Sequence, residues 1–330
     1  MTDLAATMAD RGLVLLLRGG AWGLPTACPA CLPVYMYLKL ARVAFTPQYA
    51  TFQPDSDNLP VLEYGDVVGY GSDTGGIIGV LKRERICDLD EGLPDSAKAD
   101  VNAYTSIVNS WLADALLYEL WLKENGATVA EVYLSSLPWP INKAIDWKQR
   151  RSVQVHLGIN TENASERAAE LYRKAAAAYE ALSVRLQDQT YFIAGKPTSL
   201  DAVVLGHILF IQHAPLELSI LKEELNKHRA LIVYAENLKK KILGDLPPTI
   251  FPKAYSPPPT TGPSSSSSRG TTGPTTTKPA PKKRTEKDKL FRKRAKYFVI
   301  AQVAAVLLYV VFAGIEVEDD GMEDDGGVDD

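Results

Sequence analysis

Two cysteines separated by two residues are the sharpest chemical signal in this sequence. Cys28 and Cys31 enclose Pro29-Ala30, after a short apolar run and directly before a helix-like segment. The N-terminus of a helix favours a thiolate, so one thiol could attack a disulfide while the second resolves the product. Redox chemistry at Cys28 and Cys31 is therefore one hypothesis. A purely structural pair, or one that forms an occasional disulfide, is the other.

Metal chemistry has little support in the same sequence. The chain holds one further cysteine, Cys87, and four histidines, at positions 156, 207, 213 and 228. A structural zinc site needs about four ligands at short spacings, and no second Cys-x-x-Cys pair or spaced histidine pair is present. We expect no metal and no cofactor. His207 lies within an apolar segment, where a hydrogen-bonded core histidine is expected.

Three other residues attract attention for structural or docking roles. Thr198 is followed three positions later by Asp201 and then by an apolar run, which predicts a capping box with aspartate in place of glutamate. Trp139 stands between two prolines. It could anchor a partner protein or pack between helices, and the sequence leaves both open.

The segments around the cysteines alternate between strand and helix patterns. Residues 13–18 read as a buried strand, 31–45 as a helix, and 45–52 as a second strand that Pro47 confines to an edge or a bulge. Residues 59–70 predict a hairpin that turns at Gly65-Asp66.

A helix is then expected from a start signal at Ser72 or Asp73. The order βαβ followed by ββα is that of a thioredoxin-like α/β domain, which we place at residues 13–95. Pro60 lies where that fold keeps a cis-proline.

Helical patterns occupy residues 100–244. Apolar residues recur at three- and four-residue spacing from Tyr104 to Leu122, from Ala168 to Leu186 and from Leu231 to Ile242. The segment that begins at Thr198 is apolar almost all round, so it should form the central helix of an all-α second domain.

Residues 1–12 are expected to form a flexible N-terminus. The C-terminal region, from residue 245 onward, divides into four segments by composition. A linker at 245–281 contains ten prolines, and a basic collar follows at 282–296. Residues 297–315 carry no charge, and an acidic tail at 316–330 has nine acidic and no basic residues.

The uncharged segment predicts a single transmembrane anchor. A helix of nineteen residues spans about 28 Å, close to the hydrocarbon core of a bilayer. The anchor would begin at Tyr297, include Gln302, Leu307 and Leu308, and end at Ile315. Because basic residues stay on the cytosolic side, the body should face the cytosol. The collar is read as a membrane-interface feature, with no nucleic-acid partner.

A two-domain body of this kind resembles the glutathione transferase architecture. The stretches GLPTACPACLPVYMYLKLA (23–41), LPWPINKAIDWKQRR (137–151) and YEALSVRLQDQTYFIAGKPTSLDAVVLGHILFI (179–211) are similar to metaxins, in their plant form. The resemblance covers roughly residues 13–244 together with the linker and anchor.

This resemblance implies a location in the mitochondrial outer membrane, with the acidic C-terminus in the intermembrane space. It implies a non-enzymatic subunit of the sorting and assembly machinery, with other machinery subunits, β-barrel precursors and outer-membrane lipid as partners. One alternative is a membrane-tethered glutathione- or thiol-dependent oxidoreductase that uses Cys28 and Cys31. The other is a tail-anchored, transferase-like adaptor for mitochondrial shape.

Glutathione catalysis departs from the transferase pattern at one informative position. Ser72 matches the serine that binds the γ-glutamyl end of glutathione, but Gly71 stands where that family has an acid.

Overall fold

The computed structural model describes residues 12–50, 59–123, 130–135, 137–193, 195–216 and 218–244. All of them belong to the first of two units of the chain, residues 1–258. The predicted linker, basic collar, anchor and acidic tail lie outside these ranges, as does the N-terminal segment up to residue 11. In the ranges that are described, no helix combines the length and the apolar character needed to cross a bilayer.

The N-terminal half is a four-stranded sheet with two helices. Its elements are β1 (Leu13–Arg18), α1 (Cys31–Leu40), β2 (Phe45–Ala50), β3 (Val61–Tyr64), β4 (Val67–Tyr70) and α2 (Gly76–Arg83). The strand order is β2-β1-β3-β4, with β1 parallel to β2 and the other pairs antiparallel. The predicted order of elements is confirmed, and Pro47 lies on an edge strand because a proline cannot donate to a central ladder.

Two helix boundaries in this half differ from the sequence predictions. Helix α1 ends at Leu40, not at residue 45, because Arg42 adopts a left-handed φ of 56°. Helix α2 begins at Gly76, so the start predicted at Ser72 or Asp73 was wrong. The Asp73 carboxylate accepts the N–H of Tyr70 at 2.8 Å and closes a turn, and Gly75 still has a φ of 77°.

The C-terminal half is helical. Its α-helices are α3 (Asp95–Ile107), α4 (Ala113–Leu117), α5 (Ile141–Leu157), α6 (Ala164–Leu186), α7 (Ser199–His213), α8 (Ile220–Lys227) and α9 (Arg229–Leu243). Residues Val108–Leu112, Tyr118–Leu122 and Ala130–Leu134 are π-helical. Every residue of α7 from Ser199 to Ile211 is buried, which confirms α7 as the central helix.

The two halves share one hydrophobic core, in which α1 packs against α7. The contact is closest at Gly206, where an added Cβ would lie 2.7 Å from the backbone nitrogen of Pro33. A glycine is required there because any side chain would collide with the backbone of α1. This close approach fixes the position of α1, and with it the position of the cysteine pair at its N-terminus.

Candidate functional site

The cysteine pair lies at the N-terminus of α1, where the chain returns from the end of β1. Cys31 is the first residue of α1, and its backbone N–H points at the Sγ of Cys28 at 3.3 Å. The carbonyl oxygen of Cys28 accepts the N–H of Leu32 at 3.1 Å. The two cysteines therefore occupy one helical turn, and the Cys28 sulfur accepts the first backbone N–H of the helix.

The two thiols differ in exposure and in acidity. Both are free and buried, Cys28 at 7% exposure and Cys31 at 0%. The hydrogen bond from Cys31, the charge of Arg18 and nearby backbone N–H groups lower the pKa of Cys28 to about 7, although burial opposes them. Burial and the interaction with Cys28 raise the pKa of Cys31 well above its ordinary value. One thiol is thus poised as a thiolate, and its neighbour keeps its proton.

Arg18 and Tyr133 complete the surroundings of the pair, and sequence reasoning identified neither. The Arg18 guanidinium lies over the Tyr133 ring, 4.0 Å from its centroid, and the Tyr133 hydroxyl donates to the carbonyl oxygen of Ala27. Tyr133 comes from a π-helical segment over a hundred residues away in sequence. No local pattern signals this contact, whereas Arg18 could have been found as the last residue of the strand that precedes the cysteines.

Pro60 lies at the same end of the sheet as the cysteine pair. Its peptide bond with Leu59 is cis, as the sequence predicted. In the antiparallel register, Leu16 of β1 faces Val61 of β3. Extending this register by one pair brings Pro60 opposite Leu17, next to Arg18 at the end of β1. The topology thus gathers Arg18, Pro60 and the thiol pair at one sheet end.

Thr198 and Asp201 form a reciprocal capping box at the start of α7. The Asp201 carboxylate accepts from the Thr198 N–H at 2.8 Å and from the Thr198 hydroxyl at 2.7 Å. It also accepts from the Phe192 N–H at 3.0 Å and the Tyr234 hydroxyl at 2.8 Å. These are structural contacts, and they lie on elements other than those that hold the cysteines.

Trp139 belongs to an exposed surface that continues along α5. Its side chain is 79% exposed, which excludes packing between helices. Trp147 and Val155 are 55% and 63% exposed. We call this the α5 surface, and its exposed residues are Trp139, Ile141, Lys143, Trp147, Lys148, Arg151 and Val155. Large exposed apolar residues interspersed with basic ones are typical of a protein-binding surface.

His207 lies within α7 and takes no part in a metal cluster. Its Nε2 accepts from the Tyr179 hydroxyl at 2.8 Å, as expected of a satisfied core histidine. Within the described ranges, no three His, Cys, Asp or Glu side chains come together as metal ligands would.

Comparison with known sequences gives two matches to domain families. The glutathione S-transferase N-terminal domain matches residues 29–126, and the glutathione S-transferase C-terminal domain matches residues 175–238. The thioredoxin-type first half and the helical second half agree with this pair of domains.

Individual relatives match over longer stretches. The chain is 40% identical over 300 residues to the mitochondrial outer membrane import complex protein METAXIN of Arabidopsis thaliana, covering 91% of this chain and 92% of that protein. It is 29% identical over 204 residues to Metaxin-2 of Mus musculus, covering 59% and 74%. It is 28% identical over 241 residues to Metaxin-3 of Danio rerio, covering 70% and 76%. The chain belongs to the metaxin family.

Proposed function

We propose that this protein is a component of the protein import machinery of the mitochondrial outer membrane. The observation that carries the proposal is the similarity to the Arabidopsis protein, which extends over nearly the full length of both chains and not over one domain alone. That protein's name places it in the mitochondrial outer-membrane import complex. A shared function is the simplest reason for two chains to stay similar over about nine tenths of their length.

In this proposal the protein aids the insertion of β-barrel precursors and binds other subunits of the assembly machinery. The α5 surface is the part of the body that best fits such a contact. Trp139 and Trp147 offer large apolar anchors, and Lys143 lies among them as an exposed base. An unfolded precursor or a machinery subunit would bury both rings, and burial of aromatic anchors dominates the energy of most interfaces.

The role is non-enzymatic and needs no cofactor. Gly71 stands before Ser72, so the acidic partner that glutathione transferases place in front of this serine is missing. The α5 surface supports polypeptide binding because its large apolar side chains are exposed, whereas small substrates are usually enclosed in clefts. The import role needs no reaction at Cys28 or Cys31, because docking involves no redox step.

The predicted anchor would hold this body at the membrane, with outer-membrane lipid around residues 297–315. Nineteen uncharged residues with a basic collar before them and acidic residues after them support a single span. The body would then face the cytosol and the tail the intermembrane space. Resistance to carbonate extraction, with digestion of the body by externally added protease, is the expected result for mitochondria that carry the full chain. Extraction by carbonate would contradict the anchor.

Assembly of a β-barrel precursor in isolated mitochondria tests the function directly. Mitochondria depleted of this protein should assemble less porin, while import of a matrix precursor is initially unchanged. Restoring the wild-type chain should restore porin assembly. Normal porin assembly together with altered organelle shape would contradict the proposal and favour the adaptor alternative.

The α5 surface is tested in the same assay by the double variant Trp139→Ser, Trp147→Ser. We expect several-fold slower porin assembly at an unchanged level of the protein in the membrane. Val184→Ser is the matched control because Val184 is 64% exposed on α6, away from this surface. Equal assembly by the double variant and the control would remove the α5 surface from the proposal and leave the rest intact.

A further inference from the structure

We propose that Cys28 and Cys31 form a thiol–disulfide exchange site, with Cys28 as the attacking thiol, Cys31 as the resolving thiol and glutathione disulfide as the oxidant. This activity goes beyond the import role and does not depend on it. It uses a pair of reactive thiols that the proposed function leaves unused.

The order of attack follows from the exposure of the two sulfurs. Cys28 is 7% exposed whereas Cys31 is fully buried, so an external disulfide meets Cys28 first. Cys31 lies one helical turn away, with its backbone N–H on the Cys28 sulfur at 3.3 Å. Residues three apart in a turn keep their Cα atoms within about 7 Å, which suits a disulfide after a small adjustment.

The electrostatics around the pair favour a thiolate at Cys28. Arg18 supplies a positive charge, and its stacking on Tyr133 holds that charge in place. The N-terminus of α1 contributes the backbone N–H groups of Cys31 and Ala30. Near neutral pH a thiol with a pKa of about 7 is about half ionised, and its thiolate is still a good nucleophile.

Cys87 is not a competing site. Cys87 is half-buried and so more accessible than Cys28, but burial raises its pKa to about 11 and Asp88 adds to the effect, so its sulfur stays protonated near neutral pH. It has no second cysteine within a few residues. Cys87 is therefore an internal control for every measurement on the pair.

The chemistry proceeds in two balanced steps. The Cys28 thiolate attacks one sulfur of glutathione disulfide, forms a mixed disulfide and releases one glutathione thiolate. The Cys31 sulfur then gives up its proton, which the released thiolate can take, and attacks the Cys28 sulfur. A Cys28–Cys31 disulfide forms and a second glutathione leaves, so two electrons pass from the protein to the oxidant.

The test is incubation of the purified full-length protein with glutathione disulfide, followed by alkylation and mass spectrometry of the peptides. In the wild type we expect an intramolecular Cys28–Cys31 disulfide, reversed by reduced glutathione, with Cys87 still free. In Cys31→Ser the reaction should stop at glutathione bound to Cys28. In Cys28→Ser neither remaining cysteine should react at a comparable rate.

The wild-type protein alone supplies a second measurement that does not depend on how the variants fold. The rate of alkylation of Cys28 should rise with pH around a midpoint near 7, well below that of Cys87. A wild-type chain that stays a dithiol in excess glutathione disulfide, or an adduct that forms first on Cys87, would overturn the proposal. Porin assembly would not be touched by either result, so failure here is distinct from failure of the import role.

Discussion

At the scale of single residues, His207 shows what burial does to an ionisable group in this protein. It is 6% exposed, and burial lowers its pKa to about 3. Burial also raises the pKa of Tyr179, so the Tyr179 hydroxyl keeps its proton and donates a hydrogen bond to Nε2. The neutral imidazole is thus matched to its partner, and protonation would bury a charge without a counterion.

The stability of the protein should therefore depend on pH through His207. Between pH 6.5 and about 3, His207 is protonated in the unfolded chain and neutral in the folded chain. The free energy of unfolding therefore falls as the pH falls. At pH 4.5 this loss is roughly 2–3 kcal/mol, since each unit is worth about 1.4 kcal/mol. In His207→Gln, which keeps an acceptor for Tyr179, that part of the pH dependence should vanish.

Urea unfolding at several values between pH 7 and 4.5 measures this effect. His156→Gln is the control because His156 is exposed at the C-terminal end of α5. Its curve should follow the wild type. Parallel curves for His207→Gln and the wild type would show that the imidazole is not the group responsible.

At the scale of elements, α7 depends on the capping box at its first turn. Asp201 is fully buried and accepts four hydrogen bonds, from Phe192, from the backbone and side chain of Thr198, and from Tyr234. Its pKa is raised by burial, which the hydrogen bonds partly offset. These four hydrogen bonds hold the carboxylate in place.

Replacing Asp201 should be far more costly than the loss of an ordinary helix cap. Asp201→Ala leaves buried donors unsatisfied and should lower the free energy of unfolding by at least about 3 kcal/mol. Asn163→Ala, at the N-cap of α6, should cost about 1 kcal/mol or less, because the Asn163 side chain makes no cap hydrogen bond and its bonds with Asn160 and Gly158 are exposed. Thermal or urea unfolding compares the two, and equal losses would contradict the special role of Asp201.

The contact between α1 and α7 gives a second prediction at this scale. Gly206→Ala places a methyl group 2.7–2.9 Å from atoms of Pro33, so the two helices must separate. We expect a loss of about 1–3 kcal/mol despite the better helix propensity of alanine. Gly12→Ala is the control because a Cβ at Gly12 meets nothing within 4 Å. Unfolding curves that are unchanged for Gly206→Ala would show that the interface is loosely packed.

Elements with strong local patterns were predictable from the sequence, and those with mixed faces were not. β1 and the hairpin carry alternating or continuous apolar runs, and the capping residues mark α7. Helix α5 escaped prediction because Trp147 and Val155 lie on its exposed side and blur the apolar stripe. Helix α8 is only eight residues long, too short for a clear period.

The thiol site was predictable only in part, for the same reason. Residue type and spacing alone identify Cys28, Cys31 and Pro60 as candidates. Tyr133 comes next to the cysteine pair only through tertiary packing. Tyr234 comes next to Asp201 in the same way. Such partners are set by the three-dimensional arrangement of elements and leave no trace in the local sequence.

At the scale of the whole molecule, Asp90 joins the two halves. It lies in the connector between α2 and α3, and its carboxylate accepts the N–H of Ser199 at 2.8 Å and the Ser199 hydroxyl at 2.5 Å. Lys82 of α2 pairs with the same carboxylate. Burial opposes the charge of Asp90, but the hydrogen bonds from Lys82 and Ser199 outweigh it and lower its pKa.

This cluster ties the first turn of the central helix to the sheet half, and it complements the positive end of α7. The stabilisation from the Asp90 carboxylate is present above the ordinary aspartate pKa and is lost as the pH falls through the lowered value. Near neutral pH the cluster is intact, so the two halves should unfold together. Loss of the cluster should weaken the contact between the halves without unfolding the hydrophobic core that they share.

A double-mutant cycle with Asp90→Ala and Ser199→Ala tests this junction. Each single variant should destabilise the protein, and the coupling energy should be about 1–3 kcal/mol because the two groups bond directly. Tryptophan fluorescence and circular dichroism should follow a single transition in the wild type. In Asp90→Ala the transitions seen by the two probes should separate, because the Ser199 N–H loses its acceptor and the connector loosens.

The control is a cycle on Asp95 and Lys98, an exposed pair 4.0 Å apart whose coupling should be much smaller. Coupling at Asp90 and Ser199 no larger than in the exposed pair would mean that the hydrophobic contact of α1 with α7 alone holds the halves together.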